Sequence, residues 1–260
     1  MTIDITRAHI GRIYDYVLGG TQNYEADRLA AEAMVALMPS YPRWARLNRS
    51  FLSHVGRLWA KEGITRILDL GSGLPTQGHF NEHLPDAKIL FSDFDPLTVA
   101  QAQQLLAYTP DMAYAGIDLR DPEALIERSS TFFGAEKPLA VGAIGIIYFL
   151  TDDELRTLMQ RLHAYCAPGT VLALSFHHMP VGSDPGPIER VIAEGRKQAR
   201  INFFLRTPEH VAELIAPWRL TVNKPIQEWL GEPEKAEPAA ALSPEDPLGA
   251  LILVGAFAER

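Results

Sequence analysis

The chain has 260 residues, is 47% hydrophobic and 22% charged, and carries a formal net charge of −8. This length and apolar content suit one sizeable core with an appendage rather than two equal halves. An acidic balance without a dense Lys/Arg run does not support a nucleic-acid or anionic-membrane partner, and the single cysteine, Cys166, excludes an internal disulfide and fits a reducing, cytoplasmic setting.

The opening MTIDITRAHIGR lacks a basic start followed by an apolar stretch, so no signal peptide is expected. Residues 1–62 read as a helical cap segment ahead of a domain over 63–260. Within the cap, Thr21 or Asn23 is placed to cap a helix from Tyr24 to Met38, which Pro39 and Pro42 end. A second helix from Pro42 to Glu62 carries Leu47, Phe51, Val55, Leu58 and Trp59 on one side, and Gly63 stops it.

After Gly63 the pattern becomes strand and helix in alternation. Strands are predicted at Arg66–Leu70, Lys88–Asp93, Met112–Asp118, Leu139–Leu150 and Thr170–His178. Helices are predicted between them at Gly78–Leu84, Pro96–Leu106 and Pro122–Phe132, and after Thr151, whose partner Glu154 completes a capping box. The longest apolar run, Pro138–Leu150, is too short to span a bilayer. Two more helices, Pro187–Ala199 and Pro208–Ala216, precede strands at Leu220–Leu230 and Ala250–Glu259. The Pro-, Glu- and Ala-rich run from Gly231 to Pro247 reads as a solvated loop between those strands. The expected fold is α/β: a mostly parallel sheet covered by helices on both faces, with a late antiparallel hairpin at its edge.

In such a sheet a ligand sits at the carboxyl ends of the strands, where strand order switches. The first strand runs into RILDLGSGLPT. Gly71 and Gly73 allow a sharp turn and close approach to the backbone, and Asp69 supplies a carboxylate just before them. A dinucleotide site asks for a third glycine, where this chain has Thr76. A carboxylate beside a G-x-G turn suits the cationic sulfonium and ammonium of S-adenosylmethionine better than a phosphate. A nicotinamide-dependent oxidoreductase and a glycine turn without a ligand remain as alternatives. Asp93, ending the second strand 22 residues after Gly71, is placed to accept from ribose hydroxyls in either nucleotide cofactor. Asp118, ending the third, suits an adenine amino group with the Leu119 N–H beside it, whereas Asp121 reads as a helix cap.

The succession ILDLGSG, SDFD, GIDLRD and an apolar fourth strand resembles the class I S-adenosylmethionine-dependent methyltransferases. RIYDYVLGGTQNYEADRLAAE, NRSFL and DLGSGLPT resemble, more narrowly, a largely actinobacterial methyltransferase family first filed as a domain of unknown function. The resemblance implies a Rossmann-like sheet of seven strands, mostly parallel with an antiparallel C-terminal strand, and an N-terminal helical lid. It implies S-adenosyl-L-methionine as cofactor, with Asp69, Gly71, Ser72 and Gly73 at its methionine end, Asp93 at the ribose, and Asp118 and Leu119 at the adenine. Phe94 departs from the family's asparagine-like residue and offers a ring to stack on the adenine.

Other candidates come from the residues themselves. Tyr14 precedes the Gly19–Gly20 turn and is expected in a mobile lid over the cofactor; core packing is its competing role. His177 is the candidate general base, Tyr148 a candidate wall of the acceptor site, and His178 points to the opposite face of the strand from His177. No metal is expected, because adjacent histidines on a strand diverge. The expected acceptor is a small molecule, with neither nucleic acid nor membrane as partner and a homodimer left open. A cofactor-binding sensor or scaffold without methyl transfer is the alternative to an enzyme.

Overall fold

A computed structural model describes residues 5–76, 78–106, 110–134, 138–180, 182, 184–186, 188–190, 192–193, 202–231 and 251–260. Three helices come first: α1 (Ile10–Val17), α2 (Glu25–Leu37) and α3 (Tyr41–Lys61). Then follow β1 (Arg66–Asp69), a short α4 (Phe80–His83), β2 (Lys88–Asp93), α5 (Pro96–Leu105), β3 (Met112–Gly116), α6 (Pro122–Phe133), β4 (Ala140–Ala143), α7 (Asp152–Tyr165) and β5 (Val171–His178). The described chain ends with α8 (Pro208–Ile215), β6 (Arg219–Pro225), a short α9 (Ile226–Trp229) and β7 (Ile252–Glu259). The seven strands form one sheet in the order β3-β2-β1-β4-β5-β7-β6. β7 runs antiparallel to both β5 and β6, and the other pairings are parallel. The expected fold class is thus the observed one.

Alternation of side chains along each strand splits the core in two. Ile67, Ile89, Ala140 and Ala173 face α3 and α4 with Phe51, Val55, Trp59 and Phe80. Leu68, Leu90, Val141, Leu172 and Leu174 face α6, α7 and α8 with Leu125, Leu155, Leu158 and Val211. Burial on both faces explains why the parallel strands read as continuous apolar runs rather than alternating ones. It also places α3, inside the predicted cap segment, firmly in the core layer: Phe51, Val55 and Trp59 are fully buried.

Several element boundaries differ from expectation. β4 stops at Ala143, because Gly145 turns at φ 76° and its N–H donates to Ser175 Oγ at 2.8 Å instead of continuing the ladder. The rest of that apolar run forms a single 3-10 turn, Ile147–Phe149, so Tyr148 stands beyond the strand rather than in it. β3 ends at Gly116, which leaves Asp118 in the following loop. The β6 ladder ends at Pro225, which has no N–H to donate, and residues predicted to extend the strand form α9. Gly78, at φ 63°, lies outside the helix predicted to start there. The cap of α2 is neither Thr21 nor Asn23: the Asn23 amide donates to Asp15 at 3.1 Å, and Asp27 accepts from the Tyr24 N–H at 2.9 Å. At α7 the predicted box is present, with Glu154 accepting from the Thr151 N–H at 2.7 Å and Thr151 Oγ1 accepting from the Glu154 N–H at 3.3 Å. The predicted loop at 232–247 and most of the predicted helix Pro187–Ala199 lie outside the described residues.

Packing of α3 on the sheet depends on a missing side chain. A Cβ at Gly255 in β7 would stand 2.6 Å from the Phe51 ring. Gly255→Ala is expected to destabilise the fold by about 1–3 kcal/mol through overpacking. Adding Phe51→Leu should recover part of that loss in a urea-unfolding double-mutant cycle; strictly additive effects would rule the clash out.

Candidate functional site

A cavity of about 480 Å³ opens across the carboxyl ends of β3, β2, β1, β4 and β5. All eleven predicted site residues line it: Tyr14, Asp69, Gly71, Ser72, Gly73, Asp93, Phe94, Asp118, Leu119, Tyr148 and His177. His178, on the other face of β5, does not. The three aspartates therefore converge on one crevice, Asp69 and Asp93 from strand ends and Asp118 from the loop after β3.

The turn after β1 is held from several sides. Ser72 donates its N–H to the Ser92 carbonyl at 2.8 Å, and its Oγ donates to the Asp69 carbonyl at 3.1 Å. The Ser92 hydroxyl donates to the same Asp69 carbonyl at 2.9 Å. Ser72 thus fastens the loop to β2. Gly73 donates its N–H to Asp93 Oδ2 at 3.2 Å, while its carbonyl accepts from the Tyr114 hydroxyl at 2.6 Å. Its φ of 63° favours glycine, and no atom lies within 4 Å of where its Cβ would be. A ligand can therefore come right up to this backbone. Gly71 has a different reason to be glycine: a Cβ there would collide with Ile146 at 2.5 Å.

Asp69 is 2% exposed, and its Oδ2 accepts no hydrogen bond among the described residues. Burial pushes its carboxyl up to about 7, with Ser72 and Arg49 opposing. Its approach to His79 Nδ1, at 3.8 Å, is not an ion pair of consequence, because burial also holds the imidazole well below its usual range and so neutral. Asp93 is likewise raised by burial, opposed by the N–H groups of Asp95 and Gly73. Asp95 in turn pairs with His9 Nε2 at 3.0 Å, tying the start of α1 to the tip of β2.

Asp118 has a partner that the sequence reading missed. Arg120 grips its carboxylate through Nε at 2.9 and 3.0 Å and through Nη2 at 2.5 Å, and this holds the carboxyl below its usual range. Asp121 caps α6, its Oδ1 accepting from the Ala124 N–H at 3.1 Å, as expected. Phe94 is 60% exposed at the rim. Tyr14 lines the cavity, and its hydroxyl donates to the Ala45 carbonyl of α3 at 2.9 Å, a packing contact.

Over β4 and β5 the wall turns aromatic. His177 is 4% exposed and burial lowers its imidazole to about 3, so it is neutral. Its ring packs edge-on to Trp44 at 5.6 Å and Tyr148 at 5.0 Å, and against Phe203 at 5.1 Å. Burial raises the Tyr148 phenol well above its ordinary range. A proton-accepting role for His177 is therefore opposed by its surroundings.

Residues of α3 were overlooked. Asn48 Oδ1 accepts from the Ser175 hydroxyl at 2.7 Å, joining α3, β5 and the Gly145 turn. Arg49 lies over the Tyr14 ring at 5.6 Å, and its Nε and Nη1 are buried without a hydrogen-bond partner among the described residues. Both sit in NRSFL, one helical turn from Trp44 and Ala45, so a polar pair interrupting an apolar stripe was the available signal.

Burial of Asp69 has a measurable consequence. Between pH 3.8 and about 7 the folded chain holds a proton that the unfolded chain has released, so this group withdraws stability as pH rises through that window. His177 acts oppositely, gaining stability as pH rises from about 3. Asp69→Asn should therefore be read as a difference: relative to the unsubstituted chain it is expected to gain on the order of 4 kcal/mol between pH 4 and pH 8 in urea unfolding. A pH-independent difference would contradict the burial argument.

Among solved structures, a candidate methyltransferase from Thermobifida fusca YX is 26% identical, with a TM-score of 0.79 over 99% of this chain and 96% of that one. A DUF574 family protein from Streptomyces avermitilis MA-4680 is 28% identical, with a TM-score of 0.80 over 100% of both chains. A magnesium protoporphyrin IX methyltransferase from Synechocystis PCC 6803, crystallised with SAH, shares the fold at 12% identity, with a TM-score of 0.54 over 95% and 92%. No protein with a curated description matches. The S-adenosyl methyltransferase family model matches residues 1–245, and the chain belongs to that family of S-adenosylmethionine-dependent enzymes.

Proposed function

We propose that this methyltransferase acts on a small molecule, with the cofactor over β1, β2 and β3 and the acceptor over β4 and β5. The observation that carries this reading is a pair of unsatisfied buried groups at one end of the cavity: Asp69 Oδ2 and the Arg49 Nε and Nη1. An amino-acid zwitterion completes both, its ammonium donating to Asp69 and its carboxylate accepting from Arg49. Asp93 accepts from the ribose hydroxyls, keeping the Gly73 N–H as its own donor. Phe94 stacks on the adenine, and the Leu119 N–H meets its edge. Asp118 takes part there to the extent that Arg120 releases it. Ser72 shapes the turn, and the Gly71 and Gly73 backbone supplies the close approach.

When bound, the cofactor supplies an electrophilic methyl group on a sulfonium. The chain's own residues then orient, enclose and desolvate. Tyr148 and His177 wall the acceptor, with His177 a neutral ring rather than a resident base. The movable part of the cap segment is α1 and α2, with Tyr14 on the cavity side, while α3 is the fixed floor. Lifting α1 and α2 breaks the His9–Asp95 contact and uncovers the strand tips. With a buried, unpaired Cys166, a cytoplasmic setting suits the chain.

S-adenosylhomocysteine is expected to raise the melting temperature of the dialysed protein and to bind in calorimetry. Absence of both effects contradicts the cofactor placement. Asp93→Ala and Arg49→Met are each expected to weaken that binding roughly 10- to 100-fold, the scale of a lost hydrogen bond to a charged group. Unchanged affinity in Arg49→Met would remove Arg49 from the methionine end.

A further inference from the structure

The cavity divides along the sheet. Its carboxylates and cations gather over β3, β2 and β1 or are occupied within their own elements. Asp15 accepts through Oδ2 from Gln22 and Asn23, while its Oδ1 has no partner among the described residues and faces Gly20 in the turn after α1; Glu154 accepts from its own cap, Thr151. Over β4 and β5, Trp44, Tyr148, His177 and Phe203 form a box. Tyr148 and Phe203 lie 4.7 Å apart at an interplanar angle of 36°, and His177 packs against Trp44, Tyr148 and Phe203 alike. Among the described lining residues, this half offers no carboxylate to take a proton from an acceptor and no cation to pair with an anionic one. Flat rings favour a flat ligand. They also stabilise positive charge on their faces.

We propose that the methyl acceptor is an uncharged aromatic nitrogen heterocycle, methylated on its ring nitrogen while held by Trp44, Tyr148 and Phe203. This rests on the cofactor placement proposed above. The ring-nitrogen lone pair forms the new N–C bond. The C–S bond breaks, its electron pair stays on sulfur, and the positive charge passes from sulfur to nitrogen. No proton is released, so the absence of a base in this half costs nothing. The product is a flat cation leaving a box of ring faces. A phenol fits poorly, since its proton has nowhere to go except a buried imidazole held neutral by its surroundings.

The test uses three probes of similar size: quinoline, 1-naphthol and quinoline-4-carboxylate. Each is titrated calorimetrically into the full chain loaded with S-adenosylhomocysteine. Each is then incubated with the chain and S-adenosylmethionine, and products are identified by mass. The expected results are saturable quinoline binding, carboxylate binding at least tenfold weaker, and N-methylquinolinium as the product. Phe203→Ala should weaken quinoline binding at least tenfold and leave S-adenosylhomocysteine affinity within twofold, which separates loss of the box from loss of the fold. The proposal is overturned by O-methylation of naphthol in preference to quinoline, by equal binding of the carboxylate, or by quinoline binding without product. It is also overturned if quinoline does not bind while S-adenosylhomocysteine does. Failure of S-adenosylhomocysteine itself to bind strikes instead at the cofactor placement.

Discussion

A reversal of strand order at β1 governs this molecule. β1 is flanked by β2 on one side and β4 on the other, all three parallel, so the chain leaves its carboxyl end toward one half of the sheet and later returns to the other. Connections that depart in opposite directions cannot cover the tips between them, and a crevice remains. Asp69, Asp93 and the glycine turn after β1 are arranged around that gap. So is the division between a charged half and an aromatic half, because the two halves are built by different connections.

Within the gap, the fold accepts an electrostatic cost. Asp69 is buried without a full set of partners, and Arg49 approaches it from α3 with donors of its own unused. A core optimised only for stability would replace such a pair with apolar groups. Meanwhile the loop above Asp69 is tied down by Ser72, Ser92, Asp93 and Tyr114, so it cannot relax to satisfy the carboxylate. Rigid surroundings and unsatisfied charge together form a preorganised receptor for a charged ligand.

Legibility in the sequence followed the range of the forces involved. Strands and helices set by local periodicity, and caps set by neighbours such as Thr151 and Glu154, were readable directly. The three aspartates were found because Asp69 and Asp93 end strands and Asp118 follows one within two residues, and strand ends share one edge of a parallel sheet. What escaped was set by long-range contact. Gly145 leaves the β4 ladder for Ser175, thirty positions away. A local exception is Asp118, claimed by Arg120 two positions on, a pairing that spacing alone does not distinguish from a solvated loop. Arg49 and Asn48 matter because α3 crosses the strand tips, and that crossing is fixed by the fit of Phe51 over Gly255, on opposite ends of the chain.

One carboxylate in the N-terminal region links two elements. Asp27 of α2 accepts from the His9 N–H at 2.8 Å, from Arg12 Nε at 2.7 Å and from the Tyr24 N–H at 2.9 Å, and it is fully buried. The first two donors belong to α1 and its cap, the third to the start of α2. Neither helix can swing alone without stranding a buried charge. The pair is consequently held as one unit, and Asp27 is the rivet.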